Sequence, residues 1–206
     1  AQRKRLYRLV QSDAELEKLC GSVHHQGVVA MIEEPRIVAV TMEWIKRWET
    51  EKSAVLLCDR IGNANNLGAI IRSAAFFGIE HIVISGDDAQ AQLTPSAYRI
   101  AQGGMEFITL YTTPSAEHFL KMCSGYLVRI GADHRAYRSL RDIPSVAQPD
   151  EAIVVVLGNE EHGISVEAKK LCDVLVKIGG SGAIESLNVA QAGTLFCSAL
   201  AELRRE

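Results

Sequence analysis

Six short apolar runs, separated by segments with a helical pattern, constrain the fold of this 206-residue chain more than any other feature. They lie at residues 54–58, 81–85, 106–110, 126–130, 152–157 and 173–178. The runs 54–58 and 152–157 are apolar throughout, so both of their faces need cover, and strands that alternate with helices form mainly parallel sheets. We therefore predict an α/β fold with a mainly parallel sheet and helices on both faces.

Capping patterns predict where several helices begin. Thr94 and Thr113 each precede a proline, which suits an N-cap followed by the first helical position. Ser12 and Glu15 form a capping-box pattern before a short helix. A final helix is expected from Asn188 to the C-terminus, with one apolar stripe made by Val189, Ala192, Phe196, Ala199 or Leu200, and Leu203.

Residues 1–50 have a different pattern from the rest of the chain. Residues 28–32 predict a short strand, and residues 41–49 a helical connector with Trp44 and Trp48 on one side. Because this stretch has too few apolar residues to fold alone, we interpret it as part of another domain plus a linker. The main domain is then expected over residues 51–206.

Composition excludes several classes of protein. With 48% apolar and 23% charged residues, the chain is neither disordered nor collagen-like. It has no apolar run long enough to cross a membrane, and its five cysteines include no C-x-x-C pair. We therefore expect a cytoplasmic protein with reduced thiols.

Charge is unevenly distributed along the chain. The net charge is −3, but the first eight residues include Arg3, Lys4, Arg5 and Arg8 and no acid. A second basic cluster lies in HRAYRSLR at residues 134–141. A basic cluster on an acidic body can bind phosphate locally, or it can be an ordinary solvated loop. The sequence leaves both interpretations open.

The loop and helix after the first main-domain strand carry an unusual arginine. Asn66 is predicted to cap a helix that starts at Leu67 and reads LGAIIRSAAFF, which is apolar on almost every side. Arg72 inside such a buried helix would need an anion, supplied either by a ligand or by a carboxylate of the protein. The two possibilities are equally open on spacing alone.

Two further loops follow strands. LGNEEHGIS, at 157–165, contains Gly158 and Gly163, which let the backbone approach a ligand or turn sharply. It places Glu160 at the carboxyl end of the sheet, where a solvated acid is the simpler interpretation. IGGSGAIESLNVAQAG, at 178–193, fails the G-x-G-x-x-G pattern because Glu185 stands at the third glycine. The sequence also contains no P-loop motif, zinc-spaced ligand set or catalytic-triad order.

Taken together, these three loops resemble the signature motifs of the SpoU (TrmH-type) family of the SPOUT RNA methyltransferases. The matching patterns are N-x-G-A-I-I-R-[ST]-A, G-N-E-x-x-G-[IL]-S and G-x-x-E-S-L-N-V, in that order, and the resemblance covers residues 54–200. HHQGVVA, at 24–30, is similar to the end of the family's small substrate-binding domain. Residues 1–50 would then be a remnant of that RNA-binding domain plus a linker.

The resemblance implies a specific activity and a specific fold. It implies a C-terminal trefoil knot, a homodimer, bound S-adenosylmethionine without a metal, and methyl transfer to a ribose 2′-hydroxyl of tRNA or rRNA. By motif position, the catalytic residues would be Arg72, Asn66, Glu160, Ser186 and Asn188. The residues lining the cofactor pocket would be Gly158, Ile178 and Leu187.

An arginine does not lose its proton in a protein, so a general-base role for Arg72 is unattractive. We favour binding of the target phosphate and stabilisation of charge on the oxygen, with Glu160 and Asn66 orienting Arg72. Ser186 and Asn188 would position the loop and the ribose.

Two departures from the family pattern keep other functions open. Asn63-Ala64 replaces the usual Asp-Pro, and Gly179 replaces a proline beside the cofactor loop. These changes motivate an alternative, a catalytically weak or inactive RNA-binding paralogue with the same knotted fold. A nucleotide-dependent oxidoreductase would explain the alternation of strands and helices but not the three motifs.

Overall fold

The protein is described by a computed structural model that covers residues 7–33, 35–86 and 90–205. The chain divides into two units, the first ending at Arg36 and the second beginning at Ile37. Within the described residues, no helix is both long enough and apolar enough to span a membrane. All five cysteines are free thiols.

The first unit contains one helix, α1 (Asp13–Cys20), among its described residues. Ser12 occupies the predicted N-cap position, but its side chain makes no capping hydrogen bond, and Glu15 pairs with Arg8 instead. The strand predicted at residues 28–32 is wrong, because this segment has no strand geometry. Its apolar residues are mostly exposed within the unit.

The second unit is an alternation of strands and helices. Its strands are β1 (Val38–Ala39), β2 (Ala54–Asp59), β3 (His81–Ser85), β4 (Thr109–Thr113), β5 (Val128–Ala132), β6 (Arg138–Ser139), β7 (Ile153–Gly158) and β8 (Val174–Lys177). Its helices are α2 (Met42–Glu51), α3 (Ala64–Phe77), α4 (Pro95–Ala101), α5 (Ala116–Met122), α6 (Val166–Leu171) and α7 (Val189–Leu203). Short 3-10 helices lie at Gly104–Phe107 and Leu140–Ser145.

The eight strands form one sheet in the order β1-β4-β3-β2-β7-β5-β8-β6, and every pair is parallel. All residues of β2 and β7 are buried. Leu56 and Cys58 of β2 pack into a core with α3 and α7, whereas Val55 and Leu57 pack into a second core with α2 and α5. The predicted parallel sheet with helices on both faces is therefore confirmed.

Some predicted boundaries are shifted by local structure. The strand expected at 106–110 begins only at Thr109, because Gly104–Phe107 closes into a 3-10 helix. Thr113 ends β4 and does not cap a helix; Ser115 caps α5 and accepts a hydrogen bond from His118 N–H. Thr94 does cap α4, with Pro95 in its first turn, as expected.

Helix α2 belongs to the core of the second unit. Trp48 is fully buried, and its ring meets Tyr111 edge-on at 4.9 Å and Phe119 at 6.2 Å between ring centroids. Trp44 lies on the same side of the helix, 6.3 Å from Trp48. The segment predicted as a connector thus covers one face of the sheet.

Candidate functional site

The sheet order brings the first two motif loops together. Asp59, the last residue of β2, pairs in register with Gly158, the last residue of β7. Because both strands are parallel, the loops that follow them leave the sheet at the same edge. Neighbouring carboxyl ends of this kind are where ligands bind in open α/β sheets.

The carboxylate of Glu160 connects these two loops. It accepts hydrogen bonds from the backbone N–H groups of Gly62 at 3.1 Å and Asn63 at 3.2 Å. It also accepts one from the side-chain amide of Asn66 at 2.8 Å. Glu160 is exposed, as the interpretation of a solvated acid expects, but its carboxylate is not free, because the first motif holds it in place.

The environment of Glu160 favours its charged form. Partial burial by itself raises the pKa of the Glu160 carboxyl, but the hydrogen bonds from Asn66 and from the backbone N–H groups outweigh it. The pKa of Glu160 is consequently held below its ordinary value. The carboxylate is ionised near neutral pH and acts as an acceptor only.

Asn66 extends the network to the third motif. Its side-chain oxygen accepts a hydrogen bond from the Asn188 amide at 3.1 Å, while its own amide donates to Glu160. Asn188 in turn caps α7, where its side-chain oxygen accepts a hydrogen bond from Ala190 N–H at 2.8 Å. A single chain of hydrogen bonds thus joins one residue from each of the three motifs.

The N-cap predicted for the first motif is wrong by three residues. Helix α3 begins at Ala64, and Asn63 is its cap, with a side-chain oxygen that accepts a hydrogen bond from Asn65 N–H. Asn66 lies inside the first turn, so its amide is free to bridge Glu160 and Asn188. Both positions carry asparagine, and local pattern does not distinguish them.

Two polar residues of the site were not predicted from the sequence. Asn159 donates to the carbonyl oxygen of Arg60 at 2.8 Å, and its side-chain oxygen accepts hydrogen bonds from the next loop residues. Asp59 is buried at 2% exposure and accepts a hydrogen bond from Ser165 N–H at 2.8 Å. Asp59 ends β2 and Asn159 directly follows β7, and this position at the carboxyl ends of two strands could have identified both residues as candidates.

Gly158 is required by the protein's own backbone. A Cβ at this position would lie 2.1 Å from the amide nitrogen of Ile164 and 2.2 Å from the carbonyl carbon of Gly163. The loop folds back because Asn159 and Gly163 form an antiparallel bridge, with Gly163 at a φ of +67°. The sharp turn expected at Gly158 is present, since its own loop makes the close approach, whereas the approach to a ligand stays a prediction.

The sequence predicts that Arg72 lies inside a buried helix, but the structure leaves its side chain exposed. Helix α3 buries residues such as Ile70 and Ile71 but leaves Arg72 and Phe76 exposed, because α4 and α7 cover only part of its surface. Among the described residues, Arg72 has no hydrogen-bond or ion-pair partner, and Glu160 is bonded to Asn66 instead. The guanidinium is therefore open to a ligand.

The third loop, residues 178–188, is largely exposed. Ser186 makes no side-chain hydrogen bond within the described structure, Ile178 is half-buried, and Leu187 is 41% exposed. A Cβ added at Gly179 or Gly180 would meet nothing within 4 Å. Open space beside a loop with exposed apolar side chains suits a ligand that has both apolar and polar parts.

A metal site and surface clefts are the other kinds of candidate site. Among the residues that the structure describes, no group of three or more His, Cys, Asp or Glu side chains could hold a metal ion. Two clefts, with volumes of about 400 and 240 Å³, are lined by residues at the amino ends of strands, including Ala54, Ile79 and Ile108. They therefore open at the edge opposite the three motif loops.

Comparison with known families gives two matches along the chain. Residues 53–198 match the SpoU rRNA Methylase family model. Residues 1–38 match the model described as RNA 2′-O ribose methyltransferase substrate binding. Together the two models cover most of the chain.

Named relatives and solved structures agree with these matches. The 23S rRNA (guanosine-2′-O-)-methyltransferase RlmB of Nitrosomonas europaea is 32% identical, covering 85% of this chain and 67% of the relative. YfiF of Escherichia coli O157:H7, an uncharacterized tRNA/rRNA methyltransferase, is 29% identical, covering 93% of this chain and 53% of the relative.

The crystal structure of the SpoU methyltransferase AviRb from Streptomyces viridochromogenes in complex with AdoMet has a TM-score of 0.66 and 25% identity. The match covers 75% of this chain and 59% of that one. The chain therefore spans about three fifths of this solved structure and about two thirds of the RlmB relative.

Proposed function

Because the chain belongs to the SpoU rRNA methylase family, we propose that it is an S-adenosylmethionine-dependent methyltransferase acting on a ribose 2′-hydroxyl of RNA. The observation that carries the proposal is the chain of hydrogen bonds from Glu160 through Asn66 to Asn188. It holds three separate loops as one unit at the edge where ligands bind to such sheets. Relatives named as 23S rRNA guanosine-2′-O-methyltransferases favour ribosomal RNA as the substrate class.

The cofactor would be held by the second and third motif loops. Gly158, Ile178 and Leu187 would line its pocket, and the open space beside Gly179 and Gly180 is compatible with a bound adenosine group. When bound, S-adenosylmethionine supplies an electrophilic methyl group on a sulfonium. The protein's task is then to align the ribose oxygen with that methyl group and to stabilise charge.

Arg72 would act on the RNA. Its exposed guanidinium has no carboxylate partner among the described residues, so it is available for a phosphate of the target nucleotide. Since the guanidinium keeps its protons, it would stabilise negative charge on the 2′-oxygen rather than remove the hydroxyl proton. Ser186, exposed on the third loop, would contact the ribose.

Glu160 and Asn66 would be positioning residues. Glu160 fixes the orientation of the Asn66 amide, and Asn66 fixes Asn188 at the start of α7. This arrangement sets the end of the third loop relative to α3, which carries Arg72. Glu160 would therefore act on the site through Asn66, and not by a direct bond to Arg72.

We propose in addition that the C-terminal third is threaded as a trefoil knot. After β8, which lies beyond β5 in the sheet, the chain must return across the carboxyl ends of β5 and β7 for Asn188 to reach Asn66. Such a crossing is compatible with a knotted path.

A homodimer is also proposed. Phe76 of α3 and Leu195 of α7 are exposed, and the two helices are joined by a 2.7 Å hydrogen bond between Ser73 and Thr194. Covering this face with a second copy would bury apolar surface. Sedimentation that gives only monomer at micromolar concentration would contradict the dimer. The cytoplasmic location stays a prediction from the sequence.

Two measurements on the full chain test the activity. Calorimetry with S-adenosylmethionine and S-adenosylhomocysteine measures cofactor binding, and tritium transfer to a ribosomal RNA transcript, followed by nucleoside analysis, measures 2′-O-methylation. Arg72→Ala should bind the cofactor like the wild type but lose about a hundredfold or more in transfer rate. Lys46→Ala, which removes an exposed charge on α2, is the matched control and should change neither.

The pattern of outcomes separates the candidate functions. Arg72→Lys should retain RNA binding and lose turnover, because a lysine keeps the charge but not the planar donor geometry. Unchanged turnover in this variant would contradict the proposed role of Arg72. RNA binding by the wild type without transfer to any RNA class would replace the enzyme by a non-catalytic RNA-binding paralogue.

A further inference from the structure

An exposed aromatic ring stands among basic side chains at the carboxyl end of β5. Tyr137 is 98% exposed, and Arg135, Arg138 and Arg141 around it in sequence are all exposed. We call these four residues the basic aromatic surface. A tyrosine so fully exposed contributes almost nothing to the core, so packing does not explain its ring.

The backbone under this surface is firmly held. Ala136 is buried and donates a hydrogen bond to the carbonyl oxygen of Asp133. On the other side of Tyr137, Arg138 and Ser139 form β6 and pair with β8. The ring is thus presented by an anchored segment, which lowers the entropy lost when a ligand stacks on it.

Neighbouring acids cancel only part of the charge on this surface. Asp133 is paired with Lys169 at 2.7 Å, and Asp142 accepts hydrogen bonds from the backbone and hydroxyl of Ser139. Arg141 has no ion-pair or hydrogen-bond partner among the described residues. At least this arginine is free to meet a phosphate.

The surface lies directly beside the third motif loop. Glu185 of that loop contacts His134 at 3.1 Å and Arg135 at 3.8 Å. Glu185 precedes Ser186, which the proposed function places at the ribose. A nucleic acid whose target nucleotide reaches Ser186 therefore passes next to the basic aromatic surface.

We propose that the basic aromatic surface binds unpaired RNA flanking the target nucleotide, an inference that rests on the proposed function. Tyr137 stacks on a base, and Arg138 and Arg141 contact phosphates. Specific recognition of RNA uses splayed single-stranded bases stacked on aromatic rings, combined with arginine contacts to the backbone. Arg135 is shared between the RNA and Glu185, so it links RNA binding to the third loop.

The test measures binding of the full chain to two labelled probes, a short oligouridine and the duplex that it forms with oligoadenylate. Tyr137→Ala should weaken oligouridine binding by about 5- to 150-fold, and Tyr137→Phe, which keeps the ring, by less than about twofold. Phe107→Ala is the matched control, because Phe107 is also an exposed aromatic, at 70%, but lies at the amino ends of the strands. It should bind like the wild type.

Salt dependence tests the arginines. Arg141→Ala should reduce the slope of log affinity against log salt by about 0.7, the loss of one phosphate contact on a single strand. Lys46→Ala also removes one exposed positive charge and should leave the slope unchanged. Because both side chains are exposed, neither variant should alter the melting temperature.

Three results overturn the inference. They are equal oligouridine affinity for Tyr137→Ala and Phe107→Ala, equal salt slopes for Arg141→Ala and Lys46→Ala, and a wild type that binds S-adenosylhomocysteine but does not bind oligouridine more tightly than the duplex. Calorimetry of cofactor binding distinguishes failure of the proposed methyltransferase function from failure of the proposed RNA-binding surface. Loss of cofactor binding and of methyl transfer counts against the proposed function, whereas unchanged RNA binding in Tyr137→Ala counts only against this surface.

Discussion

Removing the Glu160 carboxylate is the perturbation whose effect the structure defines best. Glu160→Ala eliminates three hydrogen bonds of ordinary length, donated by Gly62 N–H at 3.1 Å, Asn63 N–H at 3.2 Å and the Asn66 amide at 2.8 Å. It also removes a long one from the Asn159 amide at 3.5 Å, which adds little. Hydrogen bonds to charged groups contribute about 1.5–3 kcal/mol each when buried. This carboxylate partly faces solvent, and water can satisfy the donors it leaves, so about 0.5–1 kcal/mol per bond is the appropriate range.

The total expected loss is therefore about 2 kcal/mol of unfolding free energy. For a unit of this size, that lowers the melting temperature by about 4–8 °C. Glu160→Gln keeps one acceptor oxygen and should lose about half as much. Thermal unfolding followed by circular dichroism, with denaturant midpoints as a second measurement, gives these values.

The neighbouring acid supplies a matched control. Glu161 is exposed, and its side chain has no hydrogen-bond or ion-pair partner among the described residues. Glu161→Ala should melt like the wild type. If Glu160→Ala melts within about 1 °C of Glu161→Ala, the Glu160 network does not stabilise the two loops and the reasoning is refuted.

A double-mutant cycle isolates the side-chain contact. Asn66→Ala and Glu160→Ala should be non-additive by about 0.5–1 kcal/mol, because both remove the same 2.8 Å hydrogen bond. Additive losses would show that the two side chains act independently.

Three further predictions follow from local structure. Gly158→Ala should lower the folded yield or destabilise the protein by roughly 3 kcal/mol or more, because its Cβ would overlap the backbone. Gly179→Ala is the control and should fold normally, because open space surrounds this position. Thermal melting compares the two variants. Burial raises the pKa of the Cys58 thiol to about 12, so Ellman's reagent at pH 8 should not modify Cys58 until the protein unfolds. Cys20 is only half-buried and can react in the native protein, so peptide mapping has to locate the label; rapid modification of Cys58 itself would contradict its burial. The hydrogen bond from Arg129 lowers the pKa of Asp173, so the stability from this pair is present above the ordinary value of 3.8 and is lost as pH falls through the lower folded value. Asp173→Asn should accordingly reduce the acid dependence of the denaturant midpoint, and an unchanged acid dependence would exclude that contribution.

Local features of this protein were predictable because their causes lie within a few residues. Strand positions such as 81–85 follow from apolar β-branched runs, and helix starts at Thr94 and Asn188 follow from side chains that satisfy the first free N–H groups. The same logic is weakest where two candidate caps lie two or three residues apart, as for Asn63 against Asn66 and Ser115 against Thr113.

The sequence by itself determined the parallel α/β class, since apolar strands separated by helices need cover on both faces. Only the tertiary structure decided that Glu160 meets Asn66, 94 residues away, because β7 lies beside β2 in the sheet. Only the tertiary structure decided that Arg72 is exposed and that the approach to Gly158 is made by its own loop. The order of the strands and the packing of helices on the sheet depend on how much apolar surface the whole chain buries. A local sequence pattern does not determine that total.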